Sequence, residues 1–479
     1  MMLAVFLRRS VGAGLLGDTD TAFLLLKLKE RHNPLSWFWT DWPLKNHFYR
    51  PVSTLFFELD HALYGSNAAG FGLTQALIAV ACVALCTWMV FELSESLAVA
   101  CCAGALFGAW TAGLPVSSWL PGIAWVLAAV SLVGIFRGKG KFWCVLLAAL
   151  ALAFWASTSE PPFPISFRIV GWLPGRTASV MALFCLSAVA FYARYERLGA
   201  TRKVVPLTSE DVPATRGTAV ALWSADTLVR SGNSLSQSEM DVRAVPERKR
   251  VSALQSGTAS PPSIRSWLAV GALVCMALAL ASYEQAVMLP VVLTGTAIFA
   301  LARGMKPRWW VPVSSWAILV AYYLLRKAII PSGNSRYQSQ QLRFGPGVYQ
   351  SLLDFSFPGL NHATTIGNSF DSFPYAYFAG APWMAWMILL GNLALIILAW
   401  KSRQRWVFLA AWGMSLASFL PMAWVHMFEH YYFWPAAFYA WAVVVGAQVC
   451  LKAFVTAVSP PEIQAPPRTD PAPGSLPRQ

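Results

Sequence analysis

Residues 266–308 read SWLAVGALVCMALALASYEQAVMLPVVLTGTAIFALARGMKPR. Two apolar runs, 266–283 and 285–302, meet at Tyr283-Glu284, and a basic turn with Arg303, Lys306 and Arg308 follows the second. A helix needs roughly 20 mostly apolar residues to cross the hydrocarbon of a bilayer. The stretch therefore predicts a hairpin of two membrane-crossing helices, with a carboxylate at one bend and cations at the other. The whole chain has this character. Hydrophobic residues make up 57% and charged ones 12%, and mean hydropathy is positive, which excludes an ordinary soluble domain.

Working outward, about eleven such runs can be read. They lie near 69–91, 96–114, 119–136, 141–157, 175–193, 266–283, 285–302, 309–325, 382–400, 406–424 and 432–451. The expected fold is an all-α polytopic membrane protein. Cytoplasmic loops retain an excess of Lys and Arg. With residues 1–68 outside, the inner connections hold Arg137, Lys139 and Lys141, then Arg303, Lys306 and Arg308, then Lys401, Arg403 and Arg405. The long polar segment with Arg248-Lys249-Arg250 is also inside. Only the connection from Glu92 to Glu95 lacks a positive cluster. The net charge of +14 is thus a topology signal; the basic residues are scattered in short turns, which argues against a nucleic-acid partner.

The organisation expected is an outer N-terminal loop (1–68), a first transmembrane bundle (69–193) and a cytoplasmic insert (194–265). Transmembrane helices (266–325), an outer loop (326–381), further helices (382–451) and a cytoplasmic tail (452–479) follow. The core of the insert, 200–264, is rich in Ser, Thr, Pro and charge and reads as disordered; the tail is Pro-rich. The apolar start Met1–Leu7 is too short to span and lacks signal-peptide order. It is either a surface-lying amphipathic start or the sequel to a first helix upstream of Met1, the latter favoured because a long outer N-terminal segment would otherwise need its own export. The eight cysteines fall within or at the ends of apolar runs, where they act as small apolar residues. The outer stretches carry no Asn-x-Ser/Thr acceptor, which favours a bacterial inner membrane.

All six histidines fall in or beside the outer stretches, with Asp18, Asp20, Glu58, Asp60, Glu284 and Glu429 among the carboxylates. Any working site is therefore extracytoplasmic. Asp18 and Asp20 either cap a helix or supply a general base. Arg168, Arg176, Arg326 and Lys327 sit at outer mouths of spans. There, paired N–H groups could stabilise a leaving phosphate or snorkel to lipid. Glu284 is either a solvated hinge or a partner for one of those arginines. His426 and His430 are four apart beside Glu429 and Tyr431. That spacing would suit a divalent ion on a helix, but a third ligand is missing, so no metal or other cofactor is assigned. Tyr49-Arg50-Pro51 and Trp37, Trp39 and Trp42 suit either a re-entrant or membrane-surface helix lining a groove that faces lipid, or an interfacial aromatic belt.

Several of these stretches resemble motifs of membrane glycosyltransferases of the C-type fold, in the branch of the protein O-mannosyltransferase relatives and the transmembrane-and-TPR mannosyltransferases. HFYRPVSTLFFELDHALYG (47–65) is similar to their yRPl…fald…lfG segment, and VGWLPGRTASV (170–180) to their Trp-x-x-Gly-Arg motif. SYEQAVMLPVVL (282–293) is similar to sKExaxxLPlxl, AYYLLRKAI (321–329) to yxxlR, and EHYYFWPAAF (429–438) to eRYlYlPsxgf. The resemblance covers most of 15–450 apart from the insert, with the motifs in order. It implies inverting transfer of a sugar from a polyprenyl-phosphate donor to a protein, lipid or glycan acceptor outside the membrane. It places the base at Asp20 or Asp18, Asp20 preferred, the motif Arg at Arg176, the motif Glu at Glu284 and the tyrosine turn at Tyr431 and Tyr432. Departures are Tyr283 in place of Lys, Arg168 in place of an acidic residue, the absent final His of the first motif and the insert. A lipid or glycan transporter without transferase activity and a non-catalytic scaffold are the competing readings.

Overall fold

The computed structural model describes residues 2–12, 19–30, 33–113, 120–137, 139–140, 142–158, 169–199, 262–331, 333, 335–342, 345–356, 382–425 and 429–458. Among them the chain is helical and forms no strand beyond one bridge, Leu342 with Val425. The insert core, the segment 357–381 and the tail from 459 lie outside the described residues.

Helices α1 (Met2–Gly12), α2 (Thr19–Glu30) and α3 (Pro51–Tyr64) precede α4 (Ala68–Ser94). The described residues of the segment 1–68 are therefore largely helical. Phe6 on α1 is fully buried, and α1 packs on α4. Next come α5 (Leu97–Thr111), α6 (Leu120–Phe136), α7 (Phe142–Thr158), α8 (Arg176–Gly199), α9 (Pro262–Leu280) and α10 (Leu289–Ala302). The chain continues through α11 (Trp310–Ile329), α12 (Arg336–Gln341), α13 (Pro346–Ser356), α14 (Pro382–Lys401), α15 (Arg405–Phe419) and α16 (Phe433–Val458). The principal pairs are α8 with α9, α4 with α8 and α5, α6 with α7, α7 with α14 and α15 with α16. Small residues allow close approach, as helices in lipid require: a Cβ at Gly104 on α5 would collide with Thr87 on α4. Cys82, Cys86, Cys185 and Cys450 are buried as apolar filler.

Every apolar run read from the sequence falls on a helix. Five segments are long and apolar enough to cross a membrane: Ala68–Ser94, Leu173–Gly199, Glu284–Ala302, Arg405–Trp424 and His430–Val458. Leu97–Thr111, Gly122–Phe136, Arg265–Leu280 and Leu389–Lys401 are shorter apolar stretches. At 1.5 Å per residue, a 15-residue helix such as α5 reaches about 22 Å against a core of about 30 Å.

The outward faces are apolar too. Val126, Val130 and Val133 on α6 are exposed, as are Trp267, Val270 and Val274 on α9, and Trp386, Leu390, Leu393, Ile397 and Trp400 on α14. These recur every three or four residues, each a continuous stripe along one helix face. Water would not tolerate so many such stripes, whereas lipid does. The architecture is that of a chain compatible with a membrane protein.

Polar groups collect at the two ends of the helices. At one end Glu92, buried, is paired with Arg197 (3.1 Å) and Arg194 (3.4 Å), and Glu95 with Arg303 (3.2 Å). Arg303 also donates to the Leu93 carbonyl (2.9 Å), and Glu196 accepts from the Arg308 backbone N–H (2.9 Å). The acidic connection that lacked cations in the sequence thus takes them from neighbouring turns. At the other end Asp60 on α3 is paired with Arg176 on α8, both buried. Arg176 Nε donates to Gln75 Oε1 (2.7 Å) and Nη2 to the Phe71 carbonyl (2.8 Å), both on α4. Thr74 donates to the second Asp60 oxygen (2.7 Å).

Removing one partner of a buried ion pair leaves an uncompensated charge and typically costs about 3–5 kcal/mol. Asp60→Ala is expected to lose that much, read as a lower thermal unfolding midpoint in detergent. Asp60→Leu combined with Arg176→Met should recover much of the loss, since apolar replacement of both partners is often tolerated.

Candidate functional site

The histidine-bearing end is assembled from the start of α3. Pro51 opens that helix at a position where its missing N–H is harmless. The next donors, Val52 N and Ser53 Oγ, bond the carbonyls of Ala281 (3.0 Å) and Ser282 (2.9 Å). A helix start that would otherwise leave its donors unanswered is thereby docked on the turn after α9. This docking brings Arg50 to Glu284. Arg50 Nη2 lies 2.7 Å and Nε 2.8 Å from Glu284 Oε2, and the Tyr49 N–H donates to Oε1 (3.3 Å).

The Arg50 guanidinium also lies 4.0 Å from the Phe48 ring centre, 4.3 Å from Tyr283 and 5.5 Å from Trp42. Burial alone would lower its pKa, but Glu284, with smaller contributions from Tyr283 and Tyr431, outweighs this and the net direction is upward. Burial also raises the Tyr49 phenol. Arg50 therefore stays cationic throughout the physiological range.

From Tyr283 the network continues into the last motif. The Tyr283 hydroxyl and His430 Nε2 share a hydrogen bond of 3.2 Å, and His430 lies against Trp172 and Tyr431. Gln285 Nε2 donates to the carbonyls of Ser418 (3.2 Å) and Tyr431 (2.9 Å), which ties α15 and the 3-10 turn Glu429–Tyr432 to the α9–α10 bend. On the opposite flank, Arg326 Nη2 donates to the His47 carbonyl (3.1 Å). Tyr322, one turn earlier on α11, has its ring 5.9 Å from that of Tyr49.

The structure thus gathers Tyr49, Arg50, Glu284, Arg326, His430 and Tyr431 at one end. Asp20 stands exposed in the first turn of α2. That helix packs by Leu24 and Leu28 in a small core with Trp37, Trp42, Phe57, Phe71 and Leu173, so it belongs to the same end. Asp18, Arg168 and His426 lie outside the described residues, and of Glu429 only its backbone in the short turn is described. Among the described residues no three His, Cys, Asp or Glu side chains gather as metal ligands.

Two expectations need correction. Arg176 does not present its guanidinium at an open mouth. It is fully buried, with Asp60, Gln75 and Phe71 receiving its N–H groups, so it holds helices together. The partner of Glu284 is Arg50, which lay outside the arginine group considered for it. The sequence alone places Asp60 among the outer carboxylates but gives it no role, and it does not single out Tyr322. Asp60 carried a signal: an acid in the middle of the apolar helix FFELDHALY must be matched by a cation once buried.

Comparison of the chain with protein-family models, with curated proteins and with solved structures returned no match. The site is interpreted from its own geometry.

A charge-assisted hydrogen bond is worth about 1.5–3 kcal/mol. Glu284→Ala, which leaves Arg50 largely enclosed and unmatched, is expected to lower stability by about 2 kcal/mol. Glu284→Asp, which keeps the charge, should lose less. Unfolding midpoints of the purified variants measure both, and equal losses would remove the ion pair as the cause.

Proposed function

We propose that this chain is an integral membrane glycosyltransferase that moves a sugar from a polyprenyl-phosphate carrier to an acceptor hydroxyl. One observation carries the reading. Arg50, Glu284, Tyr283, His430 and Arg326 converge from distant segments on one end of an apolar bundle, where a lipid could present its phosphate. The arginine-rich opposite end suits the cytoplasm, which makes the site extracytoplasmic. In this reading about eleven helices cross, the membrane is a bacterial inner membrane, and protein, lipid or glycan serves as acceptor.

The reaction needs a base, an anion site and a guided line of attack. The acceptor oxygen attacks the anomeric carbon as the carbon–oxygen bond to phosphate breaks. The carboxylate of Asp20, or of Asp18, takes the acceptor proton, and the phosphate leaves with the bonding electrons. Inversion follows from this single displacement. With Arg176 held by Asp60, Arg326 and Arg50 are the cations among the described residues that this reading sets against the phosphate. Glu284 and His430 position Arg50 and Tyr283.

Positioned general bases contribute about 100-fold to 10,000-fold. Asp20→Asn is expected to reduce transfer from a polyprenyl-phosphate hexose in membranes by at least about 100-fold with expression unchanged, and Asp18→Asn by less. Full activity in both variants would remove the proposed base. Carrier flux in proteoliposomes without glycosidic product would make the chain a transporter instead.

The orientation has its own test. Cysteine introduced at Lys306 should react with a membrane-impermeant maleimide only from the cytoplasmic side, and cysteine at Lys45 only from the opposite side. The reverse pattern would put the site in the cytosol.

A further inference from the structure

At the arginine-rich end several cations already face a carboxylate. Arg194 and Arg197 are held by Glu92, and Arg303 by Glu95. Arg265, near the start of α9, and Arg308, just before α11, form no ion pair among the described residues. Both guanidiniums gather on one side chain of α8. The Arg265 centre lies 5.0 Å and the Arg308 centre 5.5 Å from the middle of the Tyr195 ring. The Tyr195 hydroxyl accepts from Arg308 Nη1 (3.1 Å) and from Trp310 Nε1 (2.9 Å), and the Trp310 ring stands edge-on at 6.2 Å. Two cations and an indole thus meet at a single phenol. Arg308, Trp309 and Trp310 are exposed, and Arg265 is half-buried.

The charge gathered there does not cancel. Glu196 attracts both guanidiniums, yet it is buried and takes the Arg308 backbone N–H (2.9 Å). One carboxylate against two guanidiniums, with Lys306 exposed in the same turn, leaves an excess of positive charge. Guanidinium N–H groups are arranged to match the oxygens of a phosphate. The surrounding surface indicates where that phosphate comes from. Trp267, Val270 and Val274 form the exposed stripe of α9, and Trp309, Val313, Trp316 and Val320 recur at the same spacing into α11. The two helices pack on each other, so both stripes lead away from the cation pair side by side. A soluble anion would use the cations alone. A phospholipid uses both features, with its headgroup on the arginines, its acyl chains along the stripes and the tryptophans at the level between. A zwitterionic headgroup would bring its own ammonium against a second guanidinium, which an acidic headgroup does not.

We infer that Arg265 and Arg308, flanked by the exposed indoles of Trp267, Trp309 and Trp310, seat the headgroup phosphate of an acidic phospholipid. The seat lies at the end of the bundle opposite the histidines and does not depend on the transferase reading. Tyr195 braces the two guanidiniums from α8. An occupied seat ties α8, α9 and the start of α11 together, so a lipid that binds it stabilises the folded chain by mass action.

The test uses the purified full chain in a neutral detergent, titrated separately with dioleoyl phosphatidylglycerol, dioleoyl phosphatidylcholine and inorganic phosphate. Native mass spectrometry counts bound lipid, and the unfolding midpoint is followed in parallel. Wild type is expected to hold phosphatidylglycerol about tenfold more tightly than phosphatidylcholine, and its midpoint to rise with phosphatidylglycerol alone. Arg265→Gln and Arg308→Gln should each cut that preference by about threefold to tenfold, and Arg308→Lys, which keeps the charge, by less. Arg303→Gln removes a cation already engaged by Glu95 and the Leu93 carbonyl, and should leave the preference unchanged. A wild type that binds the two lipids equally, or neither, overturns the seat whether or not the variants fold. So does an equal rise in midpoint with inorganic phosphate, which would make this a site for a free anion. A loss in Arg303→Gln as large as that in Arg308→Gln also overturns it, since the preference would then reflect diffuse charge.

Discussion

The arrangement of the histidine-bearing end depends on one ion pair buried among three helices. Asp60 comes from α3, Arg176 from the start of α8, and Gln75, Thr74 and Phe71 from α4 supply the remaining bonds. Charges so enclosed are tolerable only when each lone pair and each N–H has a partner. That demand fixes the position of α3. The α3 N-terminus then docks on the carbonyls of Ala281 and Ser282, and the docking in turn sets Arg50 against Glu284.

The same requirement explains why the polar groups divide between two ends. Along the long helices, side chains either form exposed apolar faces or pack on neighbours such as the fully buried Trp441. An ionised group there would have to be matched within a few ångströms. At the ends, matching is easier because turns from several helices meet. The arginine-rich end matches Glu92, Glu95 and Glu196 with cations and backbone donors of other turns. The opposite end matches Asp60 and Glu284 but holds His430 against aromatic rings and keeps Asp20 exposed.

The helices were legible in the sequence because apolar run length is a local property, and each run corresponds to one. Among the described residues, five segments are long and apolar enough to cross a membrane. Runs such as 96–114 fold as helices of fewer residues, since Gly113 takes a left-handed conformation and closes the turn after α5. The apolar runs of the N-terminal 68 residues are short, and α1 and α3 gain stability from packing on α4, which local composition does not record. Glu284 was readable as either a solvated hinge or a partner for an arginine, and the arginine it meets lies 234 residues earlier. Arg176 was recognisable as unusual, but whether a buried guanidinium serves a ligand or a carboxylate depends on what stands opposite. Asp60 stands opposite, 116 residues away in the chain. Long-range pairing is the information that periodicity lacks.

The two ion pairs of this end differ in a way that decides which cation can work. Arg176 and Asp60 have side-chain exposures of 0% and 2%. Separating them would strand both charges without water, a penalty of several kcal/mol for each ion. Arg50 and Glu284 are 11% and 24% exposed, and the Arg50 guanidinium is flanked by Phe48 and Tyr283. These exposures leave the second pair partly open to water. On the proposed transferase reading, a donor phosphate would draw on Arg50 and leave Arg176 in place. Because Glu284 begins the bend that also carries Tyr283 and Gln285, any shift there is transmitted to His430 and to the carbonyls of Ser418 and Tyr431. The rigid pair sets the frame and the hydrated pair responds within it.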